Sequence, residues 1–227
     1  MTRTDDGSFA VFVAERSTPL LRTAHLLTGD RTEAEELLAL ALGSTHRRWA
    51  ELAPADRASA AQGALLAEHP RWHRRAQVRE LMGATPLLRG ISLMPVPAPR
   101  VRDALTTALG RLPAQQRAVL VLRLGEGRSV PETAELLGVP ADVVTGDTAR
   151  GLDRLAELLP PDDTPAEGVE ARLRTDLTAR AAAVTGVPEG FLERVLDGEL
   201  TQRRHWAGLA AVAAFLLLVV VLVVLTV

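Results

Sequence analysis

Residues 112–159 read LPAQQRAVLVLRLGEGRSVPETAELLGVPADVVTGDTARGLDRLAELL, and the punctuation of this stretch decides the fold. Ser129 and Glu132 stand three apart ahead of an apolar run. This is the pattern by which a hydroxyl and a carboxylate cap a helix start reciprocally. Gly138–Val139–Pro140 closes that short helix and opens another, since glycine suits the left-handed turn after a helix and proline suits a helix start. The next helix is predicted over 141–159, with Val144, Thr148, Leu152, Leu155 and Leu159 on its inner face. Two helices joined by so tight a turn make a helix-turn-helix. Upstream, the Gly110 to Pro113 break separates helices predicted over 100–110 and 113–124.

Outward from this core the chain stays helical, and no alternating strand pattern occurs. In the first piece, 8–82, Phe9, Phe12 and Val13 form a short apolar face. Pro19 is expected to start a second helix that ends before Gly29. Asp30 and Glu33 form a second capping pair, ahead of Ala34, Leu37, Leu38, Ala41, Leu42, Thr45 and Trp49 at helical spacing. A further helix begins near 56, and Pro70 is expected to interrupt it. Two proline-rich stretches, 83–99 and 160–168, read as linkers. The expected architecture is all-α: a helical bundle over 8–82, a linker over 83–99, a helix-turn-helix domain over 100–159, and a linker with an amphipathic juxtamembrane segment over 160–206. In that last segment Val169, Leu173, Leu177 and Ala181 share a face. It could pack on the second piece, lie on a membrane, bind a partner or serve as a plain connector.

Residues 207–227, AGLAAVAAFLLLVVVLVVLTV, carry no charge and no proline. At about 1.5 Å per residue they span about 30 Å, the thickness of a bilayer's hydrocarbon core, and so predict a transmembrane helix. Arg203, Arg204 and His205 precede it, and Trp206 stands where an interfacial aromatic belongs. Flanking arginines place that side in the cytoplasm. The first residues have no apolar h-region, so no signal peptide is expected. The expectation is a single-pass protein of a bacterial cytoplasmic membrane, with its N-terminal domains cytoplasmic.

Composition narrows the chemistry. The chain has 227 residues, 47 % apolar, with a formal net charge of −2, so any DNA binding must come from a local patch. Absence of cysteine excludes disulfides and thiolate chemistry. No phosphate-binding glycine loop, nucleophile elbow or carboxylate pair stands out, so neither an enzyme nor a cofactor is expected. His69 and His73 have the four-residue spacing of helix metal ligands beside Glu68. Pro70 between them and the surrounding arginines argue against a cation, and no metal site is expected.

The run from Leu112 to Val139, with the following TARGLDRLAELL, resembles region 4 of sigma-70 family RNA polymerase sigma factors of the extracytoplasmic-function type. The resemblance rests on Leu112, Pro113, Gln116, Arg117, Val119, Leu122, Arg123, Glu126, Gly127, Ser129, Glu132, Ala134, Leu137, Gly138, Arg150 and Leu152. Upstream, FVAERSTPLLRTAHLLTGDRTEAEELLALALGSTHRRW resembles sigma region 2. All 26 basic residues are arginine, a bias expected of a GC-rich bacterial genome.

The resemblance implies partners and sites. Core RNA polymerase would be met by Glu33, Glu35, Glu36, Leu37 and Leu40. Promoter DNA would meet Arg71, Trp72, Arg74, Arg75 and Arg79 in the region 2-like part. In the helix-turn-helix the implied DNA contacts are Ser129, Glu132, Thr145, Thr148, Arg150 and Arg154. An anti-sigma or other regulatory protein is a further implied partner. Two departures from the family pattern stand out. Thr145–Gly146–Asp147 replaces a basic run early in the recognition helix, which also carries Asp142, Asp153 and Glu157; an acid there opposes DNA phosphates. Ala39 and Leu40 replace a polar pair after the acidic–leucine core. Two readings follow: a membrane-anchored sigma-like initiation factor, released by proteolysis near 160–206, or a sigma-derived interaction module at the membrane that no longer binds promoter DNA.

Overall fold

The computed structural model describes residues 3–84, 103–159 and 168–197, with side chains over 7–75, 103–159 and 168–197. Every described element is helical. Two compact units are present, Met1–Val187 and Pro188–Val227.

Three helices build the N-terminal bundle of the first unit. They are α1 (Arg3–Thr28), α2 (Arg31–Arg47) and α3 (Arg57–Ala84), with short 3-10 turns at Trp49–Glu51 and Pro54–Asp56 between the last two. The α2 stripe is as the periodicity predicts: Ala34, Leu37, Leu38, Ala41, Leu42, Thr45 and Trp49 are all buried. Asp30 caps α2 by accepting the Glu33 backbone N–H at 3.0 Å. Trp49 closes the bundle, with Phe9 edge-on at 5.1 Å and its Nε1–H donating to Ser8 Oγ at 2.8 Å.

Both proline expectations are corrected. One helix runs through Pro19 and another through Pro70. An internal proline costs about 3 kcal/mol. The buried stripe is continuous across each one: Phe9, Val13, Ser17, Leu20, Ala24 and Leu27 in α1, and Ala61, Leu65, His69 and Trp72 in α3. At about 1.5–3 kcal/mol per fully buried large apolar side chain, the stripe outweighs the lost bond.

Four more helices follow: α4 (Ala104–Arg111), α5 (Ala114–Leu120) running into a π turn at Val121–Gly125, α6 (Val130–Leu137) and α7 (Ala141–Leu158). The capping box of α6 forms as read, with Ser129 Oγ and the Glu132 carboxylate each serving the other's backbone N–H. Gly138 ends α6 at φ 65°, the left-handed turn expected of it. The inner face of α7 differs from the reading. Val144, Asp147, Gly151 and Leu155 are buried, whereas Thr148 and Leu152 are half-buried. Gly151 explains the shift, because a Cβ there would lie 3.0 Å from Leu120 Cδ1; α5 crosses α7 at that glycine.

The final helix of this unit, α8 (Gly168–Ala183), packs against α1, the π turn and α7, with Leu173 and Leu177 fully buried. Of the roles open to 169–181, packing on the rest of the chain is the one observed. The N-terminal bundle also touches the helix-turn-helix part directly, through α3 on α5 and α6 and through α1 on the π turn. At their junction Gly29 takes φ 74°, and the Thr106 methyl stands 2.5 Å from where its Cβ would be.

In the second unit a helical stretch covers 191–197, and the Arg194 guanidinium lies 5.4 Å from the Phe191 ring centroid. No helix among the described residues is long and apolar enough to cross a membrane. The expected span 207–227 lies outside the described residues, as do 85–99 and 160–167 of the two linkers and 100–102 of the helix predicted over 100–110.

Candidate nucleic-acid and polymerase interface

The recognition helix of the helix-turn-helix is α7. Its exposed positions include Asp142, Thr145, Ala149, Arg150, Asp153 and Arg154. Asp147 is not among them, which corrects the expectation of a carboxylate set against DNA phosphates. It is 5 % exposed and faces α5, where Gln115 Nε2 donates to Oδ2 at 2.7 Å. Arg150 donates to Oδ1 at 2.9 Å. Gly146 makes room for this pair, since a Cβ on it would lie 3.0 Å from the Arg150 Nη1. Glycine in the departing triplet thus serves the folding back of an arginine onto its own helix. Thr145 and Thr148 hydroxyls donate to the backbone carbonyls of Ala141 and Val144. Of the helix-turn-helix candidates, Ser129 and Glu132 are exposed but engaged in their cap, and these bonds hold the Glu132 carboxyl below its usual range. Arg154 is exposed and makes no ion pair among the described residues.

On α3, Arg71, Arg74 and Arg75 are exposed, and Arg71 pairs with Glu68 at 3.1 Å. Trp72 is corrected: at 4 % exposure it belongs to the core and cannot stack on a base. The Arg79 side chain lies outside the described residues. On α2, Leu37 is likewise corrected, because it is fully buried in the bundle. Glu33, Glu36 and Leu40 remain on the outer side at helical spacing, with Leu40 37 % exposed. Glu35 is half-buried and accepts from Arg31 Nε at 2.7 Å.

Sequence reasoning missed the residues that join the two halves. Arg117 is buried, and its Nη1 donates to the Leu27 carbonyl at 2.9 Å. Glu126 accepts from the Thr23 hydroxyl, and from Gln62 Nε2 at 3.1 Å. Both matched family positions, but matching does not tell a residue's direction. Beside Arg117 sit His69 and His73, their rings 5.9 Å apart. Burial first, then the Arg117 charge, lowers His69 to about 3 and His73 to about 4. No cluster of three or more metal-ligating side chains occurs among the described residues.

Comparison with known proteins agrees with this architecture. Residues 102–155 match the family model for sigma-70, region 4. The RNA polymerase sigma-E factor of Streptomyces avermitilis is 33 % identical over 168 residues, covering 73 % of this chain and 93 % of the relative. This chain belongs to the sigma-70 family of RNA polymerase sigma factors. The sigma-E factors of Streptomyces coelicolor and Streptomyces antibioticus are 32 % and 31 % identical, each over 73 % of this chain. These alignments reach well beyond the region 4 match. In this sigma factor α4–α7 are therefore region 4, and α1–α3 stand where its resemblance to region 2 lies. Among solved structures, the sigma factor RpoE in complex with the anti-sigma factor NepR from Bartonella quintana covers 68 % of this chain and 98 % of that one, at 23 % identity and a TM-score of 0.47.

Proposed function

We propose that this sigma factor is a membrane-anchored initiation factor that binds core RNA polymerase through the outer side of α2 and promoter DNA through α3 and α7. The observation that carries the reading is its likeness to sigma-E factors over 73 % of the chain, spanning both the bundle and the helix-turn-helix. Glu33, Glu36 and Leu40 supply a mixed acidic and apolar stripe for polymerase. Arg71, Arg74, Arg75 and Arg154 are exposed cations that would meet phosphates, and the exposed Thr145 would meet base edges. The membrane reading rests on the uncharged run 207–227 and its arginine flank. Arg79 joins the DNA set from the sequence.

The test is transcription by Streptomyces core polymerase and the full chain in lipid nanodiscs, on genomic fragments. The expected result is co-purification with polymerase and transcripts starting at defined sites. Resistance of the chain to carbonate extraction from membranes checks the anchor. A second reading is favoured by the exposed Asp142 and Asp153 on α7: an interaction module that has given up promoter binding. Absence of both polymerase binding and DNA retention at low salt would overturn the first reading and leave the second.

A further inference from the structure

We infer that α8 and the segment 184–187 form an intramolecular clasp that holds the region 2-like bundle and region 4 closed on one another, and that its detachment precedes their separation. What closure means for transcription rests on the function proposed above; the clasp itself rests on packing.

Three attachments define it. The first is apolar: Leu173 and Leu177 are fully buried, and Leu177 meets the π turn of region 4 at the same glycine that Leu26 of α1 meets. A Cβ on Gly125, in that turn, would lie 2.9 Å from Leu26 Cδ1 and 3.4 Å from Leu177 Cβ, so bundle, π turn and clasp converge on one point that has no room for a side chain. The second ties α8 to region 4. Arg180 Nη2 donates to both Asp103 carboxylate oxygens at 2.9 and 2.8 Å, and Nη1 donates to the Thr106 hydroxyl. Partial burial works against the Asp103 charge, but the Thr106 backbone N–H and Arg180 outweigh it and lower the carboxyl. The third ties the clasp to the bundle: Arg22 Nε donates to the Val184 carbonyl at 3.4 Å, and Arg31 donates to the Gly186 carbonyl.

One helix is thus tied near its end, at Arg180, to region 4 and, four and six residues on, at Val184 and Gly186, to α1 and α2. Closure has a cost to surface availability. The α3 positions Gln62, His69 and His73 share one face and lie against Glu126, Arg128 and Arg117 of region 4. That face is unavailable to any partner until the two parts separate. Released, α8 is suited to stand in water, since its outer side carries the pairs Arg174–Glu170 at 2.8 Å and Arg172–Asp176 at 3.1 Å.

Because the chain has no cysteine, two labels can be placed uniquely. Thr32→Cys on α2 and Ala149→Cys on α7 are both at exposed sites. Nitroxide labels on the full chain in nanodiscs, read by double electron–electron resonance, should give one narrow distance. Adding Arg180→Ala with Leu177→Ala should broaden and lengthen the distribution until the closed peak is a minority. An unchanged narrow peak in a double variant of undiminished helix content overturns the clasp. If the double variant loses helix content, Arg180→Ala alone is read in its place with the same two outcomes. The distance involves neither polymerase nor DNA, so its failure is distinct from a failure to transcribe.

Discussion

At Asp147 a single carboxylate holds two donors, Gln115 from α5 and Arg150 from its own helix. Asp147→Asn keeps an oxygen for Gln115 and removes the charge that draws Arg150 back. The expected outcome is tighter DNA binding at low salt, with the slope of log K against log salt steeper by about 0.9, one phosphate contact. Anisotropy titrations over a salt series measure it, and an unchanged slope would mean that Arg150 does not reach a phosphate. Asp147→Arg should instead destabilise the domain by burying an unpaired cation. The sequence showed an acid in a recognition helix but not its direction. Side-chain direction depended on Gly151, where the close approach of Leu120 turns α7 so that position 147 faces inward. Trp72 and Leu37 were misread for the same reason: a family motif names positions, while burial is settled by the neighbouring helices.

At the scale of the element, Pro19 and Pro70 show what local rules can and cannot decide. Proline as a helix breaker is a statement about backbone bonds, and the continuous stripes of α1 and α3 outweigh it. Pro19→Ala restores the missing N–H bond in α1 and relaxes the ring's clash with the preceding turn, at some loss of unfolded-chain restriction. It should stabilise the protein by about 2 kcal/mol, seen as a higher urea midpoint at unchanged slope. The elements that were legible carry their own punctuation: Asp30 before α2, Ser129 and Glu132 at α6, Gly138 after it. Helix α8 was legible as amphipathic, yet its partner was not, because Leu173 and Leu177 are buried by segments distant in sequence.

Across the whole molecule, acid should loosen the fold. His69 and His73 are lowered to about 3 and about 4 from 6.5, chiefly by burial and then by Arg117, and His25 is lowered by burial as well. Below pH 6.5 the unfolded chain takes up protons that the folded chain refuses. Stability is therefore fullest above pH 6.5 and falls as pH drops toward 4 and 3, by up to about 1.4 kcal/mol per pH unit for each histidine. Urea midpoints between pH 7 and pH 5 test this, and His69→Phe should flatten the dependence. The fold class and the helix-turn-helix were readable because they are written in short-range patterns. The closed arrangement was not, since Arg117, Glu126 and Arg180 find partners 74 to 103 positions away.

Gly29 shows what such long-range fitting means for tolerance to change. The turn between α1 and α2 demands a left-handed residue there, and the Thr106 methyl demands an empty Cβ position. These are independent penalties at one codon. A mutational scan of residues 8–82 expressed alone would register only the first. In the whole chain any replacement is penalised twice, so a turn of the bundle draws part of its intolerance from a domain it does not belong to.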